Sequence, residues 1–453
     1  MEEEELARNT MSESLPLHFN NIEVPPLRRH VRVLVMLLVV VTYFYYNLST
    51  SSEEDEASIS ASTSYEYEQK QYAAYSKPGF AACLLALDDT IRLYEWIAYH
   101  FTVLPLSSLV IALDPKSSNE SLIEVHYMAQ QWMKLGLNIT VWHLDESLVR
   151  AKLWPDDPKV YDLKGLQTTS NFYAKEQVGF FTACTHHFLD RGKEKYLLHT
   201  DTDEFLSYNL IDPTENVTHF DDNTLISWIP KETRADTRKQ AIPIRQQAHT
   251  ALMNNTTILS FIENQERSNA SSYFPTSSGC TRIVGVVYGT TTTDQTKDEI
   301  LMTKKYQMKQ KKLGDGFSKV MLDISKISES RGELQQTSTI HNPFPKFCGY
   351  NGKWTSGVDF ISSILKLSHY IGSLESFMER GSGAGSWINK QNEDVWKGRN
   401  QQSSPYTDKV DTSMGRWVDV FLSRVGKDVG EELLFEPLRR RIMSVRQALN
   451  ITI

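Results

Sequence analysis

A chain of 453 residues is too long for one small core and suits one large α/β domain or two modest ones. With 40% hydrophobic and 23% charged residues it has the make-up of a folded protein. A net charge of −8 and a pI near 5.9 argue against a nucleic-acid partner, which needs a basic face.

The N-terminus differs from the rest. After "MEEEE", the segment "PPLRRHVRVLVMLLVVVTYFYYNLST" carries an apolar and aromatic run from Val33 to Tyr46, interrupted at Thr42. The run is short for a membrane span. Arg28, Arg29 and Arg32 precede it, and no Lys or Arg follows until Lys70, which places the N-terminus in the cytosol by the positive-inside rule. Tyr43 to Tyr46 form an aromatic belt, and no A-x-A cleavage site follows, so the reading is an anchor rather than a cleaved signal. From Ser49 to about Lys70 the chain is rich in Ser, Thr and Glu and reads as a stem, having too few apolar residues to offset ordering entropy. Eight N-x-S/T sequons, at Asn47, Asn119, Asn138, Asn216, Asn254, Asn255, Asn269 and Asn450, suit a lumenal, glycosylated body.

The body starts near Gly79. "FAACLLAL" is a continuous apolar run, the pattern of a strand buried on both faces. "TIRLYEWIAYHFTVL" is helical by the spacing of Ile91, Tyr94, Ile97 and Phe101, and "SLVIALDP" is a second strand. "SNESLIEVHYMAQQWMKLG" is an amphipathic helix with a Ser/Asn cap and a stop at Gly136, and "NITVWHL" is a third strand. A helix from about Asn171 to Asp190 leads to the strand "KYLLHT". Such alternation implies an α/β fold with a mostly parallel sheet and right-handed crossovers. Residues 210–340 show few periodic segments, and "GRWVDVFLSRVGKDVGEELLFEPLRRRIMSVRQAL" is helical.

Two acidic clusters then fall at strand ends. Asp88 and Asp89 follow the first strand, and "DTDE" (Asp201 to Glu204) follows the fourth, both at the carboxyl edge where parallel sheets bind ligands. Like charges there repel and are costly to desolvate, so a divalent cation is expected. On an extended chain Asp201 and Asp203 project the same way, with His199, and Glu204 points to the other side, toward a basic neighbour. A solvated turn is the alternative. Among four cysteines, Cys83 and Cys184 read as buried thiols and Cys280 and Cys348 as the candidate bridge, although three pairings are open.

The stretches "LLALDDTIRLYEWIAYH", "FYAKEQVGFFTACTHHFLDRGKEKYLLHTDTDEFL" and "SHYIGSLESF" resemble GT-A fold glycosyltransferases of the family 92 and family 2-like type. The likeness rests on Glu95, Trp96, Tyr99 and His100, on Lys175 and Gln177, and on D-x-D-E-F at Asp201 to Phe205, and it covers roughly Phe80 to Gly372. It implies a Rossmann-like GT-A sheet flanked by helices, with Mn²⁺ or Mg²⁺ held by Asp201, Asp203 and His369. The nucleotide sugar would be held by Asp88, Asp89, Lys175, Gln177 and Glu204. His369 has a plain core histidine as its alternative, and Lys175 and Gln177 could equally pack their helix on the sheet. Glu375 is the candidate base that deprotonates the acceptor, ahead of Glu379, Asp323 and Asp359.

The expected organisation is a cytoplasmic tail over 1–30, a transmembrane signal anchor over 31–48, a stem over 49–78, a GT-A catalytic domain over 79–390 and a C-terminal helical extension over 391–453. The expected function is metal-dependent transfer of a sugar from a nucleotide-diphosphate sugar to a glycan or glycoprotein acceptor, with inversion expected and retention open. The chain would sit in the Golgi or ER membrane, single-pass and type II, tied to the bilayer by one helix. A GT-A-like membrane protein that binds glycans without catalysis is the runner-up, and a metal-dependent phosphoesterase is a third reading.

Overall fold

The structure, a computed structural model, describes residues 79–114, 117–143, 172–210, 234–267, 279–289, 299–310, 319–327, 363–370, 372–381, 396 and 406–448. The tail, anchor and stem lie outside the described residues, and among those residues no helix is long and apolar enough to cross a membrane. The chain divides into residues 1–71 and a second compact unit over 72–453, which includes the C-terminal helices.

The sequence's alternation is realised as β1 (Phe80–Ala86), α1 (Thr90–Val103), β2 (Leu106–Leu113), α2 (Asn119–Lys134), β3 (Asn138–His143), α3 (Phe172–Arg191) and β4 (Tyr196–His199). Local chemistry sets the bounds of α2. Ser118 Oγ accepts from Ser121 N at its start, and Gly136, at φ +87, adopts the left-handed conformation that stops it. Every residue of β1 is buried, as its unbroken apolar run requires.

The first sheet has the order β3-β2-β1-β4-β9-β6, where β6 is Cys280–Ile283 and β9 is Lys319–Asp323. β1 to β4 are parallel, whereas β9 runs antiparallel to β4 and β6 antiparallel to β9. The sheet is therefore mixed. The crossovers stop after β4, and residues whose sequence shows few periodic segments form α4 (Arg234–Met253) and α5 (Ile258–Arg267) before β6. A second sheet, β11-β8-β7-β10-β5, is built from β5 (Glu204–Tyr208), β7 (Gly285–Gly289), β8 (Met308–Gln310), β10 (Leu365–Tyr370) and β11 (Tyr406–Val410).

Alternation along β1 feeds two cores. Ala82, Leu84 and Ala86 pack with α1 and α2, while Ala81, Cys83 and Leu85 pack with Phe180, Phe181, Cys184 and Phe188 of α3. Each fully buried Phe or Leu contributes about 1.5–3 kcal/mol. Cys83 and Cys184 thus face each other across the β1–α3 layer and form a disulfide, which corrects their reading as thiols. Cys280 is disulfide-bonded too, and Cys348 lies outside the described residues. The helices α6 (Met302–Lys305), α7 (Ile324–Ile327), α8 (Leu374–Gly381), α9 (Trp417–Val425), α10 (Lys427–Gly430) and α11 (Glu436–Ala448) complete the unit. Of these, α8, α9 and α11 pack on α1.

Candidate functional site

The chain runs β1, β2, β3 outward in one direction and returns to place β4 on the other flank of β1. The order reverses between β1 and β4, which pair through Cys83 and His199, and both acidic clusters leave the sheet at this point. Asp88, at φ +45, occupies the left-handed region that Asp tolerates better than most residues. Its Oδ1 accepts from Ser118 N at 2.8 Å and Ser118 Oγ at 2.9 Å, so Asp88 ties the β1 loop to the start of α2.

Residues 201–204 form a turn closed by Glu204 N donating to Asp201 O at 3.1 Å. That overturns the expectation of an extended segment with Asp201 and Asp203 on one side. Thr202 Oγ1 donates to Asp89 Oδ2, joining the two acidic loops. His199 faces the α3 layer instead. Thr185 Oγ1 donates its proton to Phe181 O, so His199 Nε2 is the donor to Thr185 at 3.0 Å, and burial holds the imidazole neutral with a pKa lowered to about 3.

Two groups of charge result. Asp203 Oδ2 meets Arg92 Nη1 at 3.2 Å and His369 Nε2 at 3.6 Å, and Arg92 Nη1 also lies 3.6 Å from Asp89 Oδ1. Burial alone would lower the pKa of His369, but the charge and hydrogen bond of Asp203 carry it above its ordinary value. The second group centres on Lys319, whose Nζ lies 2.6 Å from Asp201 Oδ2 and 3.4 Å from Glu204 Oε2. Burial disfavours the ammonium, yet Asp201 and Glu204 outweigh it and raise its pKa, so Lys319 stays charged. Burial pushes Glu204 up to about 7. Glu204 Oε2 also accepts from Asp201 N at 2.9 Å, which makes it a brace of the turn rather than a nucleotide contact.

The motif "EWIAYH" has a role in this geometry. Trp96 Nε1 donates to Glu204 O at 2.9 Å, Tyr99 OH to Leu206 O at 3.0 Å, and His100 Nε2 accepts from Leu206 N at 3.2 Å. With Nε2 accepting, His100 carries its proton on Nδ1 and donates to Trp96 O. Three side chains of α1 therefore pin the strand that continues the acidic turn. Glu95 accepts from Thr303 N and Oγ1 and caps α6.

Of the expected site residues, Asp89, Asp201, Asp203, Glu204 and His369 come together, while Asp88 is committed to Ser118. The side chains of Lys175 and Gln177 lie outside the described residues. Glu375 accepts from Arg446 Nε at 2.7 Å. Although burial raises its pKa, its hydrogen bonds and Arg446 hold the carboxyl below its ordinary value, the opposite of what a general base needs. Glu379 accepts from Thr90 Oγ1 at 2.6 Å, Ile91 N at 3.2 Å and Arg441 Nε at 2.8 Å and anchors the start of α1. Asp323 is held by Ser325 Oγ, and Asp359 lies outside the described residues.

Among the described residues no three His, Cys, Asp or Glu side chains converge to hold a metal ion. One oxygen of each carboxylate is engaged by a cation: Asp201 Oδ2 by Lys319, and Asp203 Oδ2 by Arg92 and His369. As arranged, the donors do not fit Mn²⁺ or Mg²⁺, which need several oxygens around one point. Sequence reasoning missed Arg92 and Lys319. Arg92 carried a local signal, one helical turn after Asp89; Lys319 carried none.

No family model matches the chain, and no curated protein does. Among solved structures it is similar to core-mannan synthase A from Aspergillus fumigatus in its Mn/GDP form, at 7% identity and a TM-score of 0.19. The match covers 36% of this chain and 55% of that one, about half its length. A likeness of that size supports no inference about activity.

Proposed function

We propose that the chain transfers a sugar from a nucleotide-diphosphate sugar to a glycan or glycoprotein acceptor. One observation carries the reading: the loops after β1 and β4 meet at the point where the strand order reverses, which is where open α/β sheets bind ligands. The likeness of "EWIAYH" and "DTDEF" to GT-A enzymes supports the substrate class. Arg92 and Lys319 are buried against the carboxylates and hold the two loops in place, and in this reading His369, whose side chain is partly exposed beside Asp203, faces the donor's phosphates. Mn²⁺ or Mg²⁺ belongs to the reading only if Asp203 exchanges Arg92 and His369 for the ion. The compartment goes with the proposal: a type II Golgi or ER protein with a lumenal body, in keeping with sequons at Asn119, Asn254 and Asn255 that are exposed.

The closed ion pairs favour a second reading, a GT-A-like protein that binds glycans without transfer. Incubating the full chain with a panel of nucleotide sugars and measuring released nucleotide separates the two. Release that requires Asp203 in a folded Asp203→Asn comparison supports transfer. Absence of release with every donor, alongside retained glycan binding, gives the second reading.

A further inference from the structure

A pair of histidines outside the candidate site brackets a point on the protein surface. His126 lies midway along α2 and His143 ends β3, the outer strand of the first sheet. Their Nε2 atoms face each other at 3.3 Å, with ring centroids 5.4 Å apart and ring planes 28° apart. His126 is half-buried and His143 exposed, so solvent reaches both ring edges. Through β2, His143 is level with Ala86, since both pair with Leu113. That puts it two strand spacings, about 10 Å, from the end of β1, outside the ion pairs around Asp203 and Lys319.

We infer that His126 and His143 form a binding site for a transition-metal ion of the Zn²⁺ type. Imidazole nitrogens bind such an ion at about 2.0–2.1 Å, and two nitrogens 3.3 Å apart then subtend about 107° at the metal, close to the tetrahedral angle. Histidine nitrogens select Zn²⁺, Cu²⁺ or Ni²⁺ and not the oxygen-seeking Ca²⁺ or Mg²⁺. Among the described residues no third His, Cys, Asp or Glu completes a cluster, so the two imidazoles are the protein ligands named for the ion. The ion cross-links α2 to β3. Because the start of α2 holds Asp88, the cross-link braces an element that also supports the β1 loop. This site goes beyond the proposed transfer reaction and does not depend on it.

The test is calorimetric titration of the full chain, made without a polyhistidine tag, with Zn²⁺ and separately with Ca²⁺. His126→Gln, His143→Gln and the double variant are titrated alongside wild type. Wild type is expected to bind one Zn²⁺ more than the double variant, and each single variant to weaken that step tenfold or more. Ca²⁺ binding is expected to be alike in all four. Melting temperature without metal checks folding, and if His143→Gln fails to fold, His126→Gln alone decides. Equal Zn²⁺ stoichiometry and affinity in wild type and the folded variants would leave only an imidazole–imidazole hydrogen bond and overturn the inference. So would a loss seen in only one of the two single variants when both fold, or an equal loss of Ca²⁺.

Discussion

Lys319 and Asp201 form an ion pair at 2.6 Å in which the lysine side chain has no solvent exposure. Its ammonium balances two carboxylates, Asp201 and Glu204, that would otherwise face each other across the turn. Lys319→Met should therefore cost about 3–5 kcal/mol in urea unfolding, the range for leaving a buried charge uncompensated. Lys319→Met with Asp201→Asn should be less damaging than the sum of the single changes. Additive losses would show that the pair is not coupled.

Gly372 tests the support behind Arg92. At φ +89 it is in the left-handed region, and an added Cβ would lie 2.5 Å from Ser376 Oγ and 2.8 Å from Arg92 Nη2. Gly372→Ala should destabilise the fold by about 1–3 kcal/mol through backbone strain, and by more if Arg92 is displaced from Asp203. Chemical denaturation gives the number. A loss of only about 1 kcal/mol would mean that Arg92 yields freely, and a curve identical to wild type would overturn the strain argument.

The Cys83–Cys184 bridge spans 101 residues. Replacing both cysteines with Ala should cost about 2–5 kcal/mol, as expected when a loop of that size is released in the unfolded chain. Unfolding of the non-reduced variant and wild type, compared in the same denaturant, checks it.

Glu95 predicts a pH dependence. Burial raises its pKa from 4.5 to about 7 despite hydrogen bonds from Met302 and Thr303. The folded state then holds a proton that the unfolded state has already lost, so this contribution is fully present below pH 4.5 and is lost as pH rises through about 7. The shift corresponds to about 3 kcal/mol. Stability measured across that window should fall less steeply in Glu95→Gln than in wild type. Parallel profiles would assign the slope to other groups.

The first half of the body was legible because its signals are local. The apolar run of β1, the Ser118 cap and the Gly136 stop of α2 each act within a few residues. α4 was not legible, because Pro243 lies inside it and its sequence lacks a clear apolar stripe. The short strands β6 and β9 have four and five residues and take their identity from pairing with β4 and with each other. The site divides the same way. Asp203 and His369 announced themselves by motif, whereas Lys319 meets Asp201 across 118 residues, and only the β4–β9 register brings them together. The side-by-side projection of Asp201 and Asp203 failed because a hydrogen bond within the segment made it a turn.

The ties from α11 also bear on the order in which the protein can mature during synthesis. Arg441 and Arg446 reach back to Glu379 and Glu375, and Glu379 in turn fixes Thr90 and Ile91 at the start of α1. Chains fold from the N-terminus as they are made. The sheet that carries the acidic turn can form early and take up α1 through Trp96, Tyr99 and His100, but the start of α1, within one turn of Arg92, gains its brace from Glu379 and Arg441 only after residues 436–448 have been added. A ribosome-bound intermediate would hold a nearly complete first sheet with the start of α1 unbraced, and that brace would be set only late in translation.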